Sequence, residues 1–270
     1  MDGIKVIRVV LPETLKYIEV IPIGDAHLGD EWCDESLLKD VVKYVLEKPY
    51  RYVILNGDLI NNAIKTSISD TYGMNSPEYE IARIVAILSE IKDRILAMGS
   101  GNHEERTLKL TGIDPSRYIA HRLGLEDRYA DNSFVLMLSV GQSHASRAGN
   151  IKQQVYSFFV QHGFGGGKKS GSKLNNLDDA SRVVANADVY IFGHTHDVIN
   201  NAKQTYVCDF QNRQIYTHKK YLMMHNAFLT FGGYGLRQGF SPLSTEITYA
   251  RLFTQGRKRI ALAIGMDQST

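Results

Sequence analysis

The chain has 270 residues, of which 43% are apolar and 22% charged, close to ordinary globular usage. That composition excludes a disordered, collagen-like or coiled-coil chain. Lys plus Arg number 31 against 29 Asp plus Glu, a net charge of +2, so nothing general draws the chain to nucleic acid or an anionic membrane and any basic surface has to be local.

The first dozen residues scatter Asp2, Lys5 and Arg8 among apolar ones, which is not the shape of a signal peptide. Residues 18–23 form a predicted strand bounded by Gly24. Over 35–47, Leu37, Leu38, Val41, Val42, Val45 and Leu46 recur at helical spacing, with Asp34 placed as N-cap. A buried strand is expected over 52–55, then a helix over 77–94 in which Ser76 caps and Pro77 takes the first position. Residues 95–98 make a third strand, and Asp114-Pro115 opens a short helix that Gly124 closes. Strands follow over 133–140 and 155–161, separated by a polar stretch, then a helix over 174–186 and a strand over 188–192. Beyond His196 the helical patterns fade. Residues 205–208 and 214–218 read as a hairpin around Asn212-Arg213, and 227–231, 246–253 and 259–264 as further strands.

No internal repeat or linker interrupts this order, so residues 1–270 are expected to form a single domain with a strand-rich portion from about 197. The early strand–helix alternation implies a parallel core and the late strands an antiparallel addition. Two sheets packed face to face with helices outside would satisfy that pattern; so would one mixed sheet. No apolar run reaches the ~20 residues of a membrane helix. The two cysteines, Cys33 and Cys208, allow neither a disulfide framework nor a Cys-based zinc motif. Free thiols in a reducing, cytoplasmic setting are the expectation.

The chemistry sits directly after the apolar strands. Ile21-Pro22-Ile23 ends in Gly24-Asp25-Ala26-His27, and Val53-Ile54-Leu55 in Asn56-Gly57-Asp58. Leu96-Ala97-Met98 ends in Gly99-Ser100-Gly101-Asn102-His103-Glu104, Phe158-Phe159-Val160 in Gln161-His162-Gly163, and Val189-Tyr190-Ile191-Phe192 in Gly193-His194-Thr195-His196. Carboxyl ends of strands in open α/β sheets converge on one crevice, where ligands bind, and the glycines let the backbone turn sharply there. A set of imidazoles, carboxylates and an amide suits borderline divalent metals. Eight such donors exceed what one ion needs, so two ions are expected, with Asp58 the natural bridge. Two metals ~3.5–4 Å apart can clamp a phosphoryl group and hold a hydroxide between them.

Asp25-Ala26-His27, Gly57-Asp58, Gly101-Asn102-His103-Glu104, His162-Gly163 and Gly193-His194-Thr195-His196 resemble the five ordered motifs of the calcineurin-like metallophosphoesterases. The resemblance implies an α/β fold, a two-sheet αββα sandwich, with two divalent metal ions at its edge. Manganese is the first expectation; iron, zinc, magnesium and nickel are the others. It also implies that Asp25, His27, Asp58 and His196 hold one ion, that Asp58, Asn102, His162 and His194 hold the other, and that a bridging hydroxide attacks phosphorus. His103 would bind no metal but stand beside the leaving-group oxygen, where a histidine near neutral pKa can stabilise charge or deliver a proton. Glu104 is expected to accept a hydrogen bond from His103 and orient it.

Protein Ser/Thr phosphatases of this superfamily follow Gly-Asp with Asp-Arg-Gly and precede Gly-Asn-His-Glu with arginine. Here Leu59-Ile60-Asn61-Asn62 and Ser100 stand in those places. That points away from phosphoproteins and toward bacterial and phage-type phosphodiesterases and nucleases, with DNA or RNA as a candidate partner. The alternatives are a phosphomonoesterase or nucleotide phosphatase, and a catalytically silent binding module of the same fold. The silent module is disfavoured because His103 and every ligand are present. A DNA-end nuclease subunit working with an ATPase would need a docking segment, for which the stretch after Ile264 is short.

The glycine- and lysine-rich run 163–173 fails the P-loop spacing but directly follows His162, so Lys168 and Lys169 are candidate phosphate contacts, against the bland alternative of a solvated loop. Lys173 closes that run. Arg237 could pair bidentately with a phosphate or simply occupy a turn. Asn61 either turns the chain or lines the cleft. Trp32 flanks the cleft or packs beneath its loop. His121, His144, His218 and His225 lie outside the motifs and are assigned surface or core roles.

Overall fold

Parallel strands covered on both faces need nearly continuous apolar runs, and β2 (Tyr17–Ile23), β3 (Arg51–Asn56) and β4 (Ile95–Gly99) supply them. In the computed structural model, which describes residues 3–11, 15–64, 67, 76–140, 154–165, 167, 169–232, 242 and 244–266, these three strands run parallel, with β5 (Tyr129–Ala130) beyond β4. On the other flank, β11 (Thr248–Phe253) pairs antiparallel with β2, and β12 (Ile260–Ile264) antiparallel with β11. The resulting six-stranded order is β12-β11-β2-β3-β4-β5.

The second sheet also has six strands among the described residues. β1 (Lys5–Val10) lies parallel to β6 (Phe134–Val140), which pairs antiparallel with β7 (Gln154–Gln161). β7, β8 (Val189–Phe192) and β10 (Gln214–Met224) are parallel neighbours, and β9 (Ile199–Asp209) closes the edge antiparallel to β10. Strict alternation in β6, with Phe134, Leu136, Leu138 and Val140 buried, turns one face of this sheet toward the first.

Between the sheets Val20, Ile54, Leu96 and Leu252 meet Leu136, Phe158, Val189 and Met223. Helices α1 (Glu35–Leu46), α2 (Pro77–Ser89) and α4 (Pro115–Leu123) cover the outer face of the first sheet, placing Leu38, Val42, Ile84, Leu88 and Ile119 against Ile21, Val53 and Leu55. Helix α5 (Ser170–Ala180) covers the second, packing Leu177 and Ala180 on Phe159, Tyr190 and Leu222. Each such large apolar side chain contributes roughly 1.5–3 kcal/mol on burial. The layers make the two-sheet αββα sandwich. Among the described residues, no helix is long and apolar enough to cross a membrane.

Local expectations hold where caps are strong. Asp34, Ser76 and Asp114 accept hydrogen bonds from Leu37, Tyr79 and Arg117 N–H, and Gly124 ends α4 at φ 72. Others give way. The helix expected over 77–94 stops at Ser89, because buried Ile91 leaves helical dihedrals (φ −116, ψ 15) and a 3₁₀ turn, Lys92–Arg94, delivers β4. The helix expected over 174–186 begins earlier and ends at Ala180, where Ser181 Oγ bonds back to the Asp178 carbonyl. Residues 227–231 form no strand: Phe228 N–H goes to the Asp25 carbonyl and Thr230 N–H to that of Trp32, so loops take the bonds a ladder would need. The hairpin is longer than expected, with Arg213 at φ 52 in its turn. Strand β1, the two-residue β5 and helix α3 (Asn102–Thr111) escaped the sequence patterns.

Candidate metal centre

Because β2, β3 and β4 are parallel in one sheet and β7 and β8 in the other, their carboxyl ends deliver all five polar runs to one edge of the sandwich. The loops are stitched to each other. Asp25 N–H donates to the Gly57 carbonyl (3.0 Å), His27 N–H to that of Asp58 (3.0 Å), and Gly193 N–H to that of His162 (2.8 Å). Bonds also cross between the sheets, among them His194 N–H to Asp25 Oδ2 (2.8 Å) and His162 Nδ1–H to the Asn56 carbonyl (2.7 Å). Asp25, His27, Asp58, Asn62, His194 and His196 all adopt φ between 46 and 64. Each such left-handed non-glycine residue costs of order 1–3 kcal/mol, strain of the kind that gathers at functional sites.

The side chains converge as two linked groups. Asp25, His27 and His196 bring one ligand atom each within 4.8 Å of the others, and so do Asp58, His162 and His194. Asn102 joins the second group, its Oδ1 lying 2.8 Å from His194 Nδ1 and 3.1 Å from His162 Nε2. Asp58 also converges with His27 and His103, which places its carboxylate between the two groups.

These residues fit divalent cations on the structure's own terms. Asp25 Oδ1 is buried without a hydrogen-bond partner among the described residues, while facing Nε2 of His196 at 3.4 Å and of His27 at 3.8 Å. The two imidazoles point nitrogen to nitrogen, His27 Nε2 standing 3.1 Å from His196 Nε2. Unsatisfied buried acceptors cost ~1–3 kcal/mol each, so a cage of this kind calls for a cation. The acid–base balance agrees. Burial works to raise the Asp58 carboxyl, but the His162 and His103 imidazoles overcome it and hold it well below the usual carboxylate range. Against burial, Asp58, 3.1 Å away, and Asp25 lift His162 to about 10. The negative potential that retains a proton there would hold a divalent ion.

His103 stands beside this cage, its Nε2 3.8 Å from Asp58 Oδ2. Burial lowers its pKa, Asp58 opposes, and the Arg106 charge lowers it further. Its orienting partner differs from expectation. The Nδ1 faces the Asn61 carbonyl at 2.8 Å, whereas Glu104 turns away. The Glu104 carboxylate accepts N–H bonds from Asp58 (3.0 Å), Leu59 (2.8 Å), Ile60 (3.2 Å) and Gly101 (3.2 Å). Glu104 therefore braces the loop that carries Asp58. Burial and the Asp58 charge push it up to about 7. Sitting third in α3, it reaches backward to loops rather than along the helix to its neighbour.

Asn61 is fully buried and serves the site from beneath through that carbonyl. Lys173 is buried too: its Nζ donates to the Thr195 carbonyl (2.9 Å) and lies 3.4 Å from Asp197, bracing the turn between His194 and His196. Lys169 is an exposed residue preceding α5. Lys168, Arg237 and His144 lie outside the described residues. Trp32 packs on Gly232, where a Cβ would come 2.2 Å from the ring. His121 is on the surface, pairing with Glu126, and His225 is buried. Asn62 was not singled out from sequence, yet its amide donates to the His103 carbonyl and accepts from Thr107 Oγ1; its place beside Asn61 after Gly57-Asp58 was the available signal.

The sequence profile of the calcineurin-like phosphoesterases matches residues 19–198. No curated protein matches the chain. Among solved structures, GAP50, the anchor in the inner membrane complex of Plasmodium, is 10% identical with a TM-score of 0.50, the alignment covering 95% of this chain and 87% of that one; the likeness agrees with the fold. A calcineurin-like phosphoesterase from Bacillus subtilis, YfkN, is 11% identical (TM-score 0.40; 94% and 92% covered). A candidate 5'-nucleotidase from Staphylococcus aureus, in complex with alpha-ketoglutarate, is 13% identical (TM-score 0.47; 92% covered), and the chain spans 54% of its length.

Proposed function

The chain belongs to the calcineurin-like phosphoesterases, a family of metal-dependent hydrolases of phosphoric esters, and on that premise we propose that it is a phosphodiesterase with a nucleic-acid backbone as its first candidate substrate. The observation that carries the reading is the pair of linked donor groups around Asp58, with Asp25 Oδ1 buried and bare beside them. Asp25, His27, Asp58 and His196 would hold one divalent cation, and Asp58, Asn102, His162 and His194 a second. Manganese is the first candidate, because imidazole, carboxylate and amide donors suit it. Bound cations would supply neutralisation of charge on the phosphoryl oxygens and easier deprotonation of water.

The rest falls to the protein. The Nδ1 proton of His103 is committed to the Asn61 carbonyl, so Nε2 is the exchanging position. An anionic phosphate brought beside it raises its proton affinity. Nε2 would thus take up a proton from solvent and, as water oxygen bonds to phosphorus and the ester P–O bond breaks, pass it to the leaving oxygen. The run after Gly57-Asp58, where protein phosphatases carry an arginine, is Leu59 to Asn62, all buried and none a cation, and the place before Gly101 holds a Ser100 tied to Ser116 Oγ (3.0 Å). With no cation contributed there, a singly charged diester suits the site better than a dianionic monoester. Two free cysteines, Cys33 and Cys208, support a reducing, cytoplasmic setting.

The purified protein, loaded with manganese, is expected to hydrolyse bis-p-nitrophenyl phosphate faster than p-nitrophenyl phosphate. A reversed preference would exclude the diesterase, and no turnover with any of several divalent metals would exclude the enzyme.

A further inference from the structure

His225 lies outside the five polar runs, yet only 1% of its surface is exposed. It follows β10 directly, and its N–H donates to the Phe192 carbonyl (3.1 Å), so its ring lies beneath Gly193. The ring fills the room left by two glycines. A Cβ on Gly24 would stand 2.7 Å from His225 Cε1, and one on Gly193 2.5 Å from Nε2 and 2.9 Å from Asp25 Oδ2. All three distances are shorter than packing permits, which explains why glycine immediately precedes both Asp25 and His194.

The hydrogen bonds settle the tautomer. Nδ1 lies 2.9 Å from the Asn226 carbonyl, which can only accept, so Nδ1 carries the hydrogen. Nε2 is then free to accept from Asn56 Nδ2 at 3.1 Å. The Asn56 side-chain amide also donates to the Gln161 carbonyl (3.3 Å), while the Asn56 main-chain carbonyl takes the His162 Nδ1 hydrogen. Asn56 ends a strand of the first sheet; Gln161 ends one strand of the second and His225 follows another. The His225 ring is 3.6 Å from Asp25 Oδ2, the oxygen that His194 N–H holds, leaving Oδ1 to face the cage.

We propose that His225 and Asn56 are positioning residues: a hydrogen-bonded floor, wedged between Gly24 and Gly193, that sets Asp25 and keeps the two halves of the cation cage in register. Neither residue would ligate a cation. Outer partners of this kind typically carry 10–100-fold in metal affinity. The inference rests on the cation site of the preceding subsection, and its test reads binding rather than turnover.

Manganese titrations by calorimetry, on wild type and on folded His225→Leu, His225→Gln and Asn56→Ala, separate the possibilities. Leucine fills the space without an acceptor, and glutamine offers its carbonyl to the Asn56 amide. His225→Leu is expected to bind one ion roughly 10–100-fold more weakly, with His225→Gln recovering most of that loss and Asn56→Ala lying between. Wild-type affinity in His225→Leu, or no recovery by glutamine, overturns the proposal. Should His225→Leu fail to fold, unchanged affinity in Asn56→Ala overturns it equally. A wild-type protein that binds no manganese would instead refute the cation site itself.

Discussion

Gly101→Ala isolates the importance of Asp58's position. Gly101 has φ −114 and ψ 177, extended backbone open to any residue, so alanine there carries no conformational penalty and its whole effect is steric. A Cβ would lie 2.1 Å from Asp58 Oδ1 and 2.3 Å from Asp58 N. Ordinary contact begins near 3.4 Å, so the carboxylate has to retreat by about 1.3 Å, the difference of those two distances. Asp58 Oδ1 also accepts the His103 N–H at 2.8 Å, so His103 moves with it. Overpacking of this size costs roughly 1–3 kcal/mol, and misplacing catalytic groups by about 1 Å costs on the order of 10²-fold in rate. Gly171→Ala is the control, since its Cβ meets nothing within 4 Å and it lies inside α5. Urea unfolding, manganese calorimetry and diester hydrolysis should show Gly101→Ala destabilised, weak in binding both ions and about a hundredfold slower, while Gly171→Ala is slightly stabilised. Two manganese ions bound at wild-type affinity in Gly101→Ala would refute the placing of Asp58 between the two groups.

His103→Ala is expected to retain two ions per chain by elemental analysis and to lose ~10²–10⁴-fold in rate, more on alkyl than on p-nitrophenyl leaving groups; loss of an ion would make His103 a ligand. Lys173→Met removes the donor to the Thr195 carbonyl, costing about 1–3 kcal/mol for the orphaned acceptor and weakening metal binding through His194 and His196; unfolding curves and calorimetry unchanged from wild type would show the contact to be idle. Burial, opposed by the Asn62 N–H but helped by the charges of Glu104 and Asp30, pushes Glu80 up to about 7. A carboxyl raised in the folded state stabilises fully below about 4.5, its unfolded value, and that stability is lost as pH rises through about 7. Glu80→Gln should therefore gain on wild type by up to roughly 3 kcal/mol between pH 5 and pH 8, read by denaturant unfolding at both; equal slopes would show Glu80 to titrate normally.

The strands and the polar runs behind them were legible because burial on both faces leaves a continuous apolar signature and glycine marks each turn. That pattern put the donor side chains at one edge, while their division into groups around Asp25 and Asp58 was implied by the resemblance to the family's motifs. What escaped depends on direction rather than residue type. Glu104 lies next to His103 in sequence, but the third position of α3 aims its carboxylate back at the N–H groups of 58–60. His225 sits among Met224 and Asn226 with no glycine turn of its own, so only the closed sandwich brings it under Gly24 and Gly193. Residues 227–231 have a strand's composition, yet their hydrogen bonds go to Asp25 and Trp32, which no local pattern encodes. Arg51 shows the same limit: it is buried between Glu19 and the Tyr44 carbonyl, a pairing visible only once β2 and β3 are adjacent.

The bond from His194 N–H to Asp25 and the meeting of His27 with His196 each span 169 positions of the polypeptide. A nascent chain on the ribosome therefore cannot complete these donor groups until translation has passed His196, and contacts so distant form late because their loop entropy is paid first. A cation held by Asp25, His27 and His196 would then require both halves of the sandwich to have closed.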